Sequence, residues 1–431
     1  MTAYDLIAEA TADDECRLWV RRLINAKDEI VAFVDARLGG QGAGEYLGFL
    51  KGSFNISFHV GFGEGKQSVL IRFAKPGHTL SAWREEKVAN EVRVIEYLRE
   101  HTTIPLPRVR CWGLADESPA QLGSFMIMDF VQSVRLSTFL RQPTDDDQAD
   151  LILNPAIDEA TLDTIYDQLA DYILQTSRLE FPSIGAISKD AASNTWSVTG
   201  RPLTFNMNEL ATSIGYPAGQ FPNAPFTRTS DYFHTLARQH LLHLQTQRNL
   251  SNNEDDVRRR FIARRQFQRR LIPMYCAVDD DDAGPFRVFC DDMQPANMLI
   301  DPRTLRITAV LDWEFTNSMP AQFAHDPPWW LLLRGPDLWL DSYSMDEFLA
   351  RYVPRMEQFL RALERVEDRS EAGAASRDRR HGGIDSLDAA TRAEMEELVK
   401  LKMEQRKAYN RDYDIRFFGG RGVYDYTPWR G

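Results

Sequence analysis

Asp292, Asn297 and Asp312 are the residues of this sequence whose types and spacing best suit chemistry. The first two lie in the loop Cys290-Asp291-Asp292-Met293-Gln294-Pro295-Ala296-Asn297, and the third in Val310-Leu311-Asp312-Trp313-Glu314. An apolar run, Val288-Phe289, enters the first loop, and a second, Met298 to Ile300, leaves it. Asp301-Pro302-Arg303-Thr304 then turns the chain, and a third apolar run ends on Asp312. This pattern predicts a loop, a short β-hairpin and a second loop, which bring the three polar side chains together. Asp292 is then placed to take up a proton, while Asn297 and Asp312 offer oxygens suited to a hard cation such as Mg²⁺. Asp and Asn favour turns anyway, so one Asp-x-x-x-x-Asn match means little. The set of Asp292, Pro295, Asn297 and Asp312 between apolar strands is far more specific.

Those residues, with Trp313 and Glu314, fall on His-Gly-Asp-x-x-Pro-x-Asn followed by Asp-Trp-Glu. The segment therefore resembles the aminoglycoside phosphotransferase/choline kinase group, and "AVLDWEFTNSMPAQF" and "DPPWWLLL" are similar to its fungal branch. Cys290 stands where the group has His, and Asp291 where it often has Gly. The resemblance implies an α+β, bilobal, protein-kinase-like fold, with a small antiparallel-sheet N-lobe and a larger, mostly helical C-lobe. It also implies ATP and Mg²⁺, and transfer of a phosphoryl group to a hydroxyl of a small molecule, with Asp292 as the catalytic residue and Asn297 and Asp312 as metal ligands. Two other readings stand beside it: an inert nucleotide-binding or regulatory protein on the same fold, and a protein kinase. The second is disfavoured because Asp312 runs into Trp313-Glu314, with no Asp-Phe-Gly or activation segment.

Upstream elements must position nucleotide phosphates for this chemistry. Phe54, Ile56, Phe58 and Val60 alternate with polar residues, as in a half-buried strand. In the strand Val69 to Ala74, Arg72 lies on the face opposite Val69, Ile71 and Phe73. Glu91 sits on the apolar stripe (Val88, Ile95, Leu98) of a helix expected from about Trp83 to Glu100, where a carboxylate needs a partner. Arg72 is the natural one, and the pair matches the kinase cation–Glu arrangement. By the resemblance, Gly52 and Ser53 belong to a phosphate-covering loop, although no full Gly-x-Gly-x-x-Gly is present. Likewise Asp129, Phe130 and Val131 correspond to a hinge that meets adenine. Gly61-Phe62-Gly63-Glu64-Gly65-Lys66-Gln67 resembles a P-loop but lies between two strands, and reads as a hairpin turn.

The 431 residues allow a large core and two lobes. A net charge of -12 argues against non-specific nucleic-acid binding, so the seven arginines between Arg258 and Arg270 read as a solvated helix face. Four widely spaced cysteines fit a reducing compartment and give neither a disulfide framework nor a zinc site. With neither a signal-like start nor a spanning apolar stretch, the expectation is a cytoplasmic protein without membrane contact.

The expected layout is a helical extension at 1–40, an N-lobe at 41–130 and a C-lobe at 131–431. The C-lobe carries an irregular insert at 186–225, which the resemblance assigns to the acceptor cleft, and a flexible loop at 368–386. Acidic residues at 145–147 and 279–282, with Asp291 and Glu314, read either as solvated surface charge or surroundings of a bound Mg²⁺, or as a lining for a cationic or polyhydroxyl acceptor rather than an anionic one.

Overall fold

The computed structural model describes residues 5–40, 42, 44–63, 65–146, 149–212, 216–277, 282–325, 327–369 and 395–405 of the chain. Its first lobe is built on β1 (Glu45–Lys51), β2 (Asn55–Gly61), β3 (Val69–Ala74), β4 (Val109–Gly113) and β5 (Phe125–Asp129). They form one antiparallel sheet in the order β1-β2-β3-β5-β4. Strand alternation gives the sheet two faces. One face buries Ile56, Phe58, Val60, Ile71, Phe73, Phe125 and Ile127. That face is covered by α1 (Leu6–Asn25) and α2 (Lys27–Arg37) through Trp19, Leu23, Ile30 and Val34. The N-terminal helices, whose role the sequence left open, thus complete the core of the sheet. Trp19 also donates its indole N–H to the Leu122 carbonyl at 2.9 Å.

The other sheet face carries Arg72 and lies toward α3 (Arg84–His101). The core on this side is continuous with the second lobe. Ile95, Leu98, Met126 and Met128 share one cluster with Tyr166, Val288, Met298, Trp313 and Phe359. The second lobe begins with β6 (Val134–Arg135), α4 (Leu136–Leu140) and α5 (Glu159–Ser177), followed by β7 (Glu180–Phe181). The segment expected to be irregular instead holds a hairpin, β8 (Ala186–Lys189) and β9 (Trp196–Gly200), and the helix α6 (Phe205–Thr212). Asn194, at φ 56°, makes the left-handed turn of that hairpin, a conformation Asn tolerates better than most residues.

Next come α7 (Thr229–Thr246), α8 (Glu254–Gln266) and α9 (Ile272–Tyr275), the last two separated by a π turn where one continuous helix is expected. Within the arginine-rich stretch, Arg258 pairs with Glu254, Asp255 and Glu396, and Arg260 with Asp256. Two small sheets then carry the loops of interest. β10 (Phe286–Phe289) lies between β7 and β13 (Asn317–Met319), and β11 (Met298–Asp301) between β6 and β12 (Arg306–Val310). The long helix Met345–Arg369 packs on α5, for example through Phe359 against Tyr166. Helical residues 395–405 join α7 and α8 around Leu244, Val257, Phe261, Leu398 and Val399. Residues 368 and 369 close the Met345–Arg369 helix, and the remainder of the expected flexible loop lies outside the described residues. No described helix is long and apolar enough to cross a membrane.

Candidate active site

β10 delivers the chain into the loop at Cys290, and a 3₁₀ turn, Pro295–Asn297, hands it to β11. Asn297 is fixed by its own loop. Its Nδ2 donates to the Asp292 carbonyl at 3.0 Å and to Asp292 Oδ2 at 2.7 Å, and its carbonyl accepts from Leu311 N at 2.8 Å. Gln294 donates to the other carboxylate oxygen of Asp292. This leaves the Oδ1 face of Asn297 for a cation. Burial pushes the Asp292 carboxyl up to about 6, and the nearby Asp312 and Glu314 charges add to the rise, while bonds from Gln294 and Asn297 oppose it. A carboxylate of that basicity suits a group that accepts or orients a proton. Cys290, in place of the expected His, is a half-buried thiol whose pKa is raised, above all by burial. It is neutral and inert near pH 7.

The β11–β12 hairpin ends on Asp312, whose backbone lies in the left-handed region at φ 63°. Such strain in a non-glycine residue concentrates at functional positions. Arg72 reaches Asp312 from the sheet. Its Nη1 donates to Glu91 at 2.8 Å, and its Nη2 donates to Asp312 at 2.6 Å and to Glu314 at 3.2 Å. The pairing of Arg72 with Glu91 expected from the sequence is present. Burial drives the Glu91 carboxyl up to about 7, and Arg72 opposes that shift. For Arg72, burial works against its charge, yet Glu91, Asp312 and Glu314 together raise its pKa.

Lys87 completes the cluster, and the sequence reading passed over it. It lies one helical turn before Glu91, and its side chain has no exposed surface. Its ammonium pairs with Glu314 and donates to Asn55 Oδ1 at 3.1 Å, while Asn55 Nδ2 donates to Glu314 at 2.8 Å. The available signal was spacing, since Lys87, Glu91, Ile95 and Leu98 share one helix face.

Gly52 and Ser53 form the tight β1–β2 turn, but their carbonyls are turned to Lys75, whose Nζ donates to them at 3.3 and 2.9 Å. Gly52 N donates to Asn55 O. A Cβ at Gly52 would meet nothing closer than 3.5 Å, so glycine is not sterically required there. Phe54, next in the turn, packs edge-on against Phe315 and Phe205 of the second lobe, with centroids 5.7 and 5.8 Å apart. At the hinge, Phe130 N donates to Ser68 O at 3.0 Å, and Phe130 O accepts from the Gln67 side chain at 2.8 Å. Both backbone groups of Phe130 are thus taken by the β2–β3 turn, and its ring lies 3.9 Å from that of His59. The Asp129 side chain is held by Arg110 at 2.6 Å. Val131 is half-buried beyond them.

The expected acidic lining shrinks on inspection. Glu314 is spent on Lys87, Arg72 and Asn55. Asp282 is buried and accepts from Arg228 and from Ser230 N, so it secures the start of α7. Asp145 and Asp146 are exposed, and residues 147 and 279–281 lie outside the described set. Asp291 remains. Its own surface is open, yet surrounding protein pushes its carboxyl up to about 6. Tyr232 is near enough to feel its charge, and Tyr232, Phe289 and Phe323 form an aromatic cluster beside it.

Among the described residues no group of three or more His, Cys, Asp or Glu forms a ready metal cage. Mg²⁺ would need no such cage, because it takes one or two protein oxygens and completes its shell with phosphates and water. Around Arg72 and Lys87 stand Glu91, Asp312 and Glu314, with Asp292 nearby, so anions outnumber cations. A hard cation fits both the donor chemistry and the charge.

Comparison with known proteins adds sequence evidence to this geometry. No curated protein matches the chain. Among solved structures, aminoglycoside phosphotransferase APH(3'')-Id from Streptomyces rimosus is similar at 13% identity and a TM-score of 0.39, covering 87% of this chain and 96% of its own. The Plasmodium vivax ethanolamine kinase is similar at 10% identity and a TM-score of 0.34, covering 85% and 82%. The profile of the phosphotransferase enzyme family matches residues 48–326, which run from β1 through the loops that carry Asp292, Asn297 and Asp312. By that match, over a stretch that contains Arg72, Lys87, Glu91, Asp292, Asn297 and Asp312, the chain belongs to the phosphotransferase enzyme family.

Proposed function

We propose that the protein is a Mg-ATP-dependent small-molecule kinase that transfers the γ-phosphoryl group to a hydroxyl of its acceptor. The observation that carries this reading is the meeting of Arg72, on the sheet, with Asp312, in the loop after β12, at 2.6 Å. One side chain suited to phosphate and one suited to metal thus face each other across the two lobes. Mg²⁺, when bound, would neutralise phosphate charge and orient the transferred group. Asn297 and Asp312 would hold it. Arg72, anchored by Glu91, would supply a planar fork to phosphate oxygens. Asp292 would accept or orient the acceptor proton. Within the hinge Asp129–Val131 the base edge would be met chiefly by Val131, because Asp129 N donates to Arg108 O and both backbone groups of Phe130 are engaged. The turn at Gly52 and Ser53 would cover the phosphates.

For the acceptor, Asp291 and the aromatic rings beside it support a cationic or polyhydroxyl molecule, since a carboxylate and aromatic faces both attract cations. Calorimetry tests the metal assignment. Asp312→Ala should abolish the Mg²⁺ dependence of ATP binding, and unchanged Mg-ATP binding in that variant would rule out Asp312 as a ligand.

A further inference from the structure

We infer that Lys87 is a positioning residue that keeps Glu314 from capturing Arg72, leaving the guanidinium available to the phosphates. The inference rests on the nucleotide reading of the site. One oxygen, Glu314 Oε2, receives three donors: the Lys87 ammonium, Asn55 Nδ2 at 2.8 Å and Arg72 Nη2 at 3.2 Å. Arg72 Nη2 is itself divided between Glu314 and Asp312, and the Asp312 contact is the shorter, at 2.6 Å. Arg72 can turn to phosphate only if its carboxylate partners other than Glu91 can spare it. Asp312 gains a cation when metal binds. Glu314, with its side chain only 5% exposed, needs a permanent counter-charge whether or not metal is bound.

Lys87 is that counter-charge, and it has no alternative partner in solvent because its side chain is fully buried. Asn55 fixes the geometry by donating to Glu314 while accepting from Lys87. The spacing on α3 is what makes the arrangement work. Glu91 and Lys87 lie on one face of a rigid helix, so the anchor of Arg72 and the restraint on Glu314 move together. Phe315, directly after Glu314, also lies 5.6 Å under the ammonium, which fixes where the loop can carry the carboxylate.

A double-mutant cycle on Mg-ATP affinity, read by calorimetry, tests this. Lys87→Met should weaken Mg-ATP binding by about tenfold or more, the range of coupled contacting residues. Glu314→Gln alone should lose much less affinity than Lys87→Met, because the competitor for Arg72 has lost its charge. The double variant Lys87→Met/Glu314→Gln should recover most of the affinity lost in Lys87→Met. Equal weakness in the single Lys87 variant and the double would mean that Lys87 is only a packing element, and would overturn the inference. So would unchanged binding in Lys87→Met. Should Lys87→Met fail to fold, the double variant, which leaves no unpaired buried charge, decides against Glu314→Gln: Mg-ATP affinity equal in the two supports the inference, and a further loss of about tenfold in the double variant overturns it. A wild-type chain that does not bind Mg-ATP would overturn the nucleotide reading and this inference with it.

Discussion

Lys87 and Lys402 are two of the buried lysines among the described residues, and their surroundings could hardly differ more. Lys87, on α3, faces Glu314 and Asn55 beside Arg72 and Asp312. Lys402, in the helical residues 395–405, donates to the Gln247 carbonyl at the end of α7 and to Gln405 Oε1 at 2.8 Å. Burial, with Arg264 and Arg260 close by, pulls the Lys402 amine from 10.5 down to about 7. Both bury a cation, but only one does so among carboxylates from two lobes. A carbonyl at a helix C-terminus satisfies an ammonium and asks no more of it. Carboxylates that outnumber their cations leave charge unspent, and under the proposed function that surplus would be met by a metal cation. Burial of a charge is therefore a weak functional signal, and the sign and number of its neighbours are the stronger one.

The sharpest break of this contrast is at Asp292. Asp292→Asn should lower turnover by about 10²–10⁴-fold, the usual contribution of a positioned base, while ATP affinity changes little. Undiminished turnover would remove Asp292 from the mechanism. The pH profile sharpens the same point. Asp292 works as a base only when ionised, and its folded pKa stands near 6 rather than at 3.8. The value of kcat/KM should therefore fall as pH drops through about 6, and an acid limb near 4 would contradict the burial seen here.

A smaller effect is expected at the interlobe aromatic contact. Phe54→Ala gives up ring pairs with Phe205 and Phe315, each worth about 0.5–1.5 kcal/mol beyond area burial. It should raise KM for ATP more than it lowers kcat. A loss confined to kcat would show that the β1–β2 turn does not act on the nucleotide.

Lys402 supplies the control. Its folded pKa is lowered, so between about 7 and 10.5 the unfolded chain binds more protons there, and stability should rise with pH across that window. Lys402→Met should flatten that part of a Tm-against-pH series and leave kcat unchanged. A kcat loss would mean that the two lysines are not as different in role as their partners imply.

The sequence made the middle of this architecture readable, because the signals there are local. Alternation exposed β2 and β3, and a 3.6-residue stripe exposed α3 with Glu91 on it. The Asp292–Asn297 spacing and the hairpin after it located both loops. β1 escaped because the irregularity between Tyr46 and Gly48 breaks its alternation. Lys87 escaped because its partners, Asn55 and Glu314, lie far from it and from each other along the chain, and only folding joins them. The acidic acceptor lining was over-read for the same reason: Asp282 and Glu314 look free in sequence, and each has a cation waiting in the fold.

The central claim is phosphoryl transfer to a small molecule, and one measurement addresses it most directly. Wild-type protein is incubated with Mg-ATP and a panel of amino alcohols, aminoglycosides, sugars and anionic hydroxy acids, and products are followed by mass spectrometry. The account predicts an acceptor that gains one phosphoryl group, drawn from the cationic or polyhydroxyl members, with formation lost in Asp292→Asn. Mg-ATP binding with no phosphorylated product from any member, or a product that Asp292→Asn forms equally well, would contradict it.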